Sequence, residues 1–318
     1  MSGAGADDGA RGARAGTGGE GEPGRGPQAE LLEIACAQAR GAGELLLEKY
    51  RAGVEEGVRS KSTSTDLVSD ADLQAERCIR EGIERARPDD GMVGEEGDDE
   101  TGTSGLKWVV DPLDGTVNYL FGIPHWCVSV AVLADRRSPG SPIGKAGVTL
   151  AGAVYDPLRE ELFAAVRGAG AVTAGTAETA VAPGGHAPAP SSAAPTLNGE
   201  PMVASKCDEL AQAMVATGFN YDAKVRERQG EVFARLIGRV RDIRRFGAAA
   251  LDLAWTAAGR YDAFYERGVN VWDVAAGVLM CERAGLQTRE LPARDGLPWG
   301  VLAAPPALVD ELMELVGG

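Results

Sequence analysis

The sequence predicts an α+β protein in which helical layers cover two sheets, and three observations carry that reading. Two amphipathic helical segments come first, a run of short apolar strands joined by turn residues follows, and the C-terminal part alternates helix-like with strand-like stretches. In the first segment, "QAELLEIACAQARGAGELLLEKY", Leu31, Ile34, Ala35, Leu45 and Leu46 recur at helical spacing. In the second, "SDADLQAERCIREGIERARP", Ala75, Ile79, Ile83 and Ala86 share a face, Ser69 is placed to cap the start and Pro88 stops the helix.

The strand-like stretches are "LKWVVD", "CVSVAVLAD", "VTLAGAVYDP" and "ELFAAVRGAG", the last two joined as a hairpin through "YDPLRE", which predicts a largely antiparallel sheet. Residues 171–196 are low-complexity Ala, Pro, Gly and Ser without periodicity and read as a flexible surface insertion. Beyond them "DELAQAMVATGF" and "RERQGEVFARLIGRV" read as helices, "RDIRRF" as a strand, "AAALDLAWTAAGR" as a helix, "YDAFYE" as a strand and "VWDVAAGVLMCERAG" as a helix. A strand "GVLAAP" and a helix "PALVDELMELV" complete the order. The domain expectation is a Gly/Ala-rich disordered tail over 1–27 and one catalytic domain over 28–318, with an N-terminal part to about residue 170 and a C-terminal part from residue 197.

Composition narrows the function. Of the 318 residues, 44% are apolar and 25% charged, the balance of a globular protein, and no apolar run reaches the length of a membrane span. The N-terminal stretch lacks the apolar core of a secretory signal, so the expected location is cytoplasmic. A net charge of −15 repels nucleic acid and argues against direct contact with it. Five scattered cysteines form no CxxC pair, and two histidines, His125 and His186, are too few for a His-based zinc site.

The chemistry is carried by carboxylates. Asp111 stands at the end of the apolar run "LKWVV" and Asp114 follows after what reads as a tight turn, with Pro112 fixing it and Gly115 allowing close backbone approach. Asp-Gly alone is an ordinary turn dipeptide. Two further acidic motifs, "GEEG" at 94–97 and "VWDVAAG" at 271–277, change that reading. Hard cations such as Mg²⁺ take carboxylate and carbonyl oxygens, and paired ions need a bridging carboxylate as well as separate ligands. Glu95, Asp111, Asp114 and Asp273, with the Leu113 carbonyl, supply such a set; Glu96 is an alternative to Glu95 that the sequence does not decide. "DGT" reads as the start of a short helix, so the amides of Gly115 and Thr116 would face an anion. Cations beside an amide nest point to phosphate, and a cation-activated water would attack the phosphorus of a phosphomonoester.

"DPLDGTVNYLFGIPHWCVSVAV" and "VWDVAAGVLMCERAG" resemble the two signature regions of the inositol monophosphatase family of metal-dependent, lithium-sensitive phosphatases, and "GEEG" and "KSTSTDLVSDAD" resemble its other landmarks. The resemblance runs in order from about Leu31 to the C-terminus and implies the layered αβαβα sandwich of the sugar phosphatases. It further implies that Glu95, Asp111 and the Leu113 carbonyl hold one Mg²⁺ and that Asp111, Asp114 and Asp273 hold a second. A third, weaker ion would lie near Glu95 and Asp72. Glu95, Thr116 and Asp72 then carry catalysis, the Thr116/Asp72 pair orienting the attacking water. Asp114, Gly115, Thr116, Ala249, Glu266 and Asp273 frame the substrate, Glu266 at the position that meets a ring hydroxyl and Ala249 through its backbone. Lys61 falls at a basic loop position near the ions.

Ala248 stands where many relatives carry Ser or Thr, and "GFNYD" departs from the more usual Gly-Phe-Pro-Tyr. Trp272 and His125 read as packing residues; Arg244 and Arg245, near the substrate side, read first as surface salt-bridge partners, with pairing to substrate or to a neighbouring subunit as the alternatives. The implied partner is a small phosphorylated polyol or sugar and the implied assembly a homodimer. The leading expectation is hydrolysis of myo-inositol 1-phosphate or a similar phosphate. Fructose 1,6-bisphosphatase or histidinol-phosphatase activity, or a regulatory role bound to transcription machinery, are the alternatives.

Overall fold

A computed structural model describes residues 27–53, 59–60, 67–68, 70–135, 145–168 and 194–317, together with Met1 and Ile143. The predicted tail, the body of the predicted insertion, Ser69, Lys61 and His186 lie outside the described residues. In chain order the elements are α1 (Pro27–Ala52), β1 (Arg59–Ser60), β2 (Leu67–Val68), α2 (Asp70–Ala86), β3 (Gly91–Gly94), β4 (Leu106–Asp114), α3 (Thr116–Leu120), β5 (Cys127–Ala134), β6 (Val148–Asp156) and β7 (Glu161–Val166). There follow β8 (Thr196–Leu197), β9 (Glu200–Pro201), β10 (Met214–Thr217), α4 (Ala223–Leu236), β11 (Asp242–Arg244), α5 (Ala249–Ala257), β12 (Ala263–Arg267), α6 (Val271–Arg283), β13 (Gln287–Leu291), β14 (Gly300–Ala304) and α7 (Val309–Val316).

Two main sheets result. One has seven strands in the order β3-β4-β5-β6-β7-β8-β9 and the other five in the order β11-β10-β12-β14-β13. The larger is antiparallel apart from the β3/β4 pair, as the hairpin chemistry predicts. Strand alternation sends its side chains to two different cores. Trp108 and Val110 of β4 and Val128, Val130 and Val132 of β5 pack with Leu31, Ala35, Leu46, Ala75 and Ile79 of the first two helices. Val109, Cys127, Ala131 and Leu133 face the other way, into a core built by α5, α6 and the smaller sheet. A third core lies on the far side of that sheet, where Val232, Leu236, Leu312 and Val316 of α4 and α7 cover Val215, Ala263 and Leu302. Three cores between five layers give the αβαβα order.

Three expectations need correcting. "DELAQAMVATGF" is a 3-10 turn (Leu210–Gln212) followed by strand β10, which lies in the sheet between β11 and β12, parallel to both. A strand enclosed on both faces shows a continuous apolar run, so "AMVAT" carries no period of two to separate it from helix. Residue 196, assigned to the flexible insertion, belongs to β8. The step from Asp111 to Asp114 is a bulge inside β4, which remains paired with β5 on both sides of it (Asp111↔Ser129, Asp114↔Cys127). That last difference decides how the two carboxylates are aimed.

Candidate active site

The bulge in β4 fixes the first acidic pair. One residue of β5, Val128, faces two of β4, Pro112 and Leu113, so the backbone kinks there, and the Asp111 carboxylate closes the kink by accepting the Leu113 amide at 3.0 Å. Asp114 lies past the kink against the N-terminus of α5, where it accepts the amides of Ala249 (3.0 Å), Ala250 (2.7 Å) and Leu251 (3.3 Å). Ala249 thus meets the site through its backbone. Gly115 takes φ of 95°, a conformation open to glycine, and turns the chain from β4 into α3. Thr116 Oγ1 stands 3.0 Å from Asp72 Oδ1 of α2 and 3.0 Å from the Leu113 carbonyl; with one hydroxyl hydrogen it donates to one of them at a time.

The remaining acids arrive from other layers. Parallel pairing of β3 with β4 sets Gly94 opposite Val110, and the Glu95 amide donates to the Val110 carbonyl at 3.2 Å, which places Glu95 beside Asp111. Asp273 is in the first turn of α6, its Oδ2 accepting the Asn270 amide at 2.7 Å. Glu266 comes from β12, where its neighbour Arg267 points to the opposite face and donates to the carbonyls of Leu291, Pro292, Pro298, Val316 and Gly317.

Glu95, Asp111, Leu113, Asp114, Gly115, Thr116, Ala249, Glu266 and Asp273 line one cavity of about 650 Å³, and Asp72 stands behind Thr116. Of the two glutamates in "GEEG", the cavity takes Glu95; the Glu96 amide instead donates to Glu76 at 2.7 Å. Arg245 also lines the cavity, whereas Arg244 is held at 2.7 Å by Asp242. Trp272 packs on the central core and contributes to the cavity wall, and its backbone carbonyl accepts Ser129 Oγ at 3.1 Å. His125 is buried, its Nε2 3.4 Å from Asp252 Oδ1.

The site is electrostatically strained. Asp111 is pushed well above the usual carboxylate range, first by burial and then by the charges of Glu95, Asp114 and Asp273. Burial and the charge of Glu95 push Asp273 the same way, and burial raises Asp114 to about 7 against the lowering effect of the Ala250 amide. Glu266 rises to about 8 through burial and the charges of Asp252 and Asp114, with Arg245 opposing.

The pH dependence of stability at Glu266 has a definite sign. The unfolded chain releases this proton near 4.5 and the folded chain holds it to about 8. Its stabilising contribution is therefore fully present below 4.5 and lost as pH rises through about 8. Denaturant melts in buffers without divalent ions are expected to show a shallower fall of stability over that window for Glu266→Gln than for the unaltered chain. Parallel curves would contradict the assignment.

The donor set fits a hard divalent cation: carboxylate and carbonyl oxygens only, with the most buried carboxyl made costly by its anionic neighbours. Among the described residues no three His, Cys, Asp or Glu side chains close on a single point, so these groups ring the cavity and do not form a finished cage. The GFNYD segment, noted in the sequence for its departure from Gly-Phe-Pro-Tyr, supplies Phe219, Asn220, Tyr221 and Asp222 to the cavity wall. Sequence reasoning missed a buried acid just outside that wall. Asp252, in the first turn of α5, is a buried carboxyl pushed well upward by burial, yet in sequence it resembles any helical aspartate.

A layered α+β sandwich with an acidic cavity where a bulged strand meets two helix N-termini defines a class of hydrolase scaffold, and comparison with known proteins places the chain within it. The chain belongs to the Inositol monophosphatase family, whose profile matches residues 27–316. It is 39% identical over 290 residues, 89% of either chain, to the protein of Mycobacterium tuberculosis named Inositol-1-monophosphatase SuhB. It is also 39% identical over 259 residues, 81% of either chain, to a protein of Xylella fastidiosa named Nus factor SuhB. Among solved structures, the extragenic suppressor protein suhB of Bartonella henselae superposes with a TM-score of 0.74 at 29% identity, covering 90% of this chain and 98% of that one. Among the described residues no helix is long and apolar enough to cross a membrane.

Proposed function

We propose that the chain is a Mg²⁺-dependent phosphomonoesterase acting on myo-inositol 1-phosphate or a similar polyol or sugar phosphate. The observation that carries this reading is the convergence, in one cavity, of Glu95, Asp111, Asp114, Asp273 and Glu266 with the Gly115–Thr116 turn. Glu95, Asp111, the Leu113 carbonyl, Asp114 and Asp273 are the residues that would hold the ions. When bound, Mg²⁺ supplies Lewis-acid polarisation of the phosphoryl group and makes water a better nucleophile.

The protein's own groups do the rest. The Thr116 hydroxyl, with Asp72 accepting its hydrogen, turns a lone pair toward the attacking water and fixes its direction on phosphorus. The water's proton passes to Thr116 Oγ1 as the Thr116 hydroxyl proton passes to Asp72, which is buried behind it and is restored when the relay runs back after turnover, while the departing alkoxide takes its proton from solvent. The amides of Gly115 and Thr116, at the head of α3, favour the phosphate anion. Glu266, in the cavity wall, accepts from or donates to a hydroxyl of the alcohol, which favours a polyol over a plain alkyl phosphate.

The name of the Xylella relative supports a second reading, a regulatory role in transcription; the net charge of −15 weighs against direct contact with RNA. Phosphate release with Mg²⁺, with and without Li⁺, from inositol 1-phosphate, fructose 1,6-bisphosphate, histidinol phosphate and 3′-phosphoadenosine 5′-phosphate tests the proposal. Turnover of inositol 1-phosphate that Li⁺ suppresses is expected. No release from any of the four would turn the case toward the regulatory reading.

A further inference from the structure

We infer that Glu76 is a positioning residue for the site: with Arg80 it buckles the loop that carries Glu95, and through Glu95 it sets cation affinity. The inference rests on the proposed reading of Glu95 as a cation ligand. Glu76 lies on α2, one helical turn beyond Asp72, and is only 3% exposed. A glutamate so enclosed needs partners, and each of its oxygens has one. Oε2 accepts the Glu96 amide at 2.7 Å, and Oε1 accepts Arg80 Nη2 at 2.9 Å. Arg80 in turn donates to Glu100 Oε1 at 2.7 Å on the far side of the loop.

The two glycines of "GEEG" mark how closely this carboxylate is enfolded. A Cβ on Gly94 would stand 2.5 Å from Glu76 Oε2, and a Cβ on Gly97 would stand 2.3 Å from Glu76 Oε1 and 2.7 Å from Arg80 Nη2. The loop thus folds over the Glu76 carboxylate as well as pairing with β4. On its other side the Glu95 amide donates to the Val110 carbonyl, one residue before Asp111, and the Glu95 carboxyl meets Asp111 itself. Glu95 is therefore held between two anchors, its own amide on β4 and the next amide on Glu76. Releasing the second frees the backbone that follows Glu95 to shift, and the side chain's direction with it. Arg80 also offsets the Glu76 charge, so Glu76 serves as a fixed acceptor beside an already anionic cavity.

Outer residues that orient ion ligands change affinity by about 10–100-fold when altered. The test compares the unaltered chain, Glu76→Gln, Gly97→Ala, Glu95→Gln and the Glu76→Gln/Glu95→Gln double variant. Mn²⁺ binding is read by electron paramagnetic resonance, half-saturating Mg²⁺ by phosphate release, and folding by circular dichroism. Glu76→Gln and Gly97→Ala should each weaken Mn²⁺ binding and raise half-saturating Mg²⁺ by about 10-fold or more. Adding Glu76→Gln to Glu95→Gln should change Mn²⁺ affinity by less than about twofold, because the positioned group is already gone. Should Glu76→Gln fail to fold, Gly97→Ala, which pushes on the same contact from the loop side, carries the comparison. Native-like Mn²⁺ binding in the variants, or independent multiplication of the Glu76 and Glu95 effects, would overturn the positioning role alone. Absence of Mn²⁺ binding by the unaltered chain would overturn the cation reading of the site and this inference with it.

Discussion

Asp111→Asn is expected to abolish phosphate release while leaving a folded protein that, without divalent ions, is more stable than the original. Both effects follow from one position. Asp111 is 3% exposed and meets the charges of Glu95, Asp114 and Asp273, so either its ionised form is repelled or its protonation is forced. Asparagine removes that choice. It also keeps the local geometry, because its amide oxygen can still accept the Leu113 amide that closes the β4 bulge. Relief of repulsion of about 1 kcal/mol would raise the midpoint of the ion-free protein by about 2–4 °C. The same change deletes a carboxylate that would hold the ions, for a loss of about 10³-fold or more, about 4 kcal/mol of transition-state stabilisation. A variant that loses activity only because it is less stable would contradict the account, as would one that keeps full activity.

Thr116→Ala carries the second large effect. Thr116 Oγ1 is the hydroxyl within reach of both Asp72 and the Leu113 carbonyl. Removing it should lower kcat by about 10³-fold with little change in KM, since the group acts on the water and the substrate is held elsewhere. Thr116→Ser, which keeps the oxygen, should retain activity within about 10-fold. A fall in Thr116→Ala confined to KM would assign the residue to substrate binding. Deletion of the partner, Asp72→Asn, should not add its full effect to Thr116→Ala if the two work as a unit.

The sequence carried much of this site in readable form because its ligands sit where chain geometry changes. Asp111 and Asp114 flank Pro112, Gly115 follows at once, Glu95 lies between two glycines, and Asp273 opens a helix. Such positions combine acidic residues with breakers of regular structure, and local sequence shows that directly. What it could not show was tertiary. Glu76 and Asp252 look like solvent-facing helical acids until the GEEG loop and His125 are brought against them. The 219–222 loop enters the cavity wall because Asn220 and Asp222 are fixed by Gln229 and by the start of α4. The bulge in β4 read as a turn because proline and glycine suggest one, while the pairing with β5 that continues past it is a long-range fact. β10 was mistaken for helix for the same reason: its neighbours, β11 and β12, are supplied by distant sequence.

Thermal unfolding of the ion-free protein titrated with Mg²⁺ reads directly whether the buried carboxylates form a cation site. Binding to the folded chain alone raises stability by about 2.7 kcal/mol when Mg²⁺ reaches 100 times its dissociation constant. The midpoint is expected to climb with Mg²⁺ in the unaltered chain and to stay nearly flat in Asp111→Asn, so that the order of stability of the two proteins reverses at high Mg²⁺. A midpoint of the unaltered chain indifferent to Mg²⁺, or one that climbs equally in both proteins, would contradict the cation site.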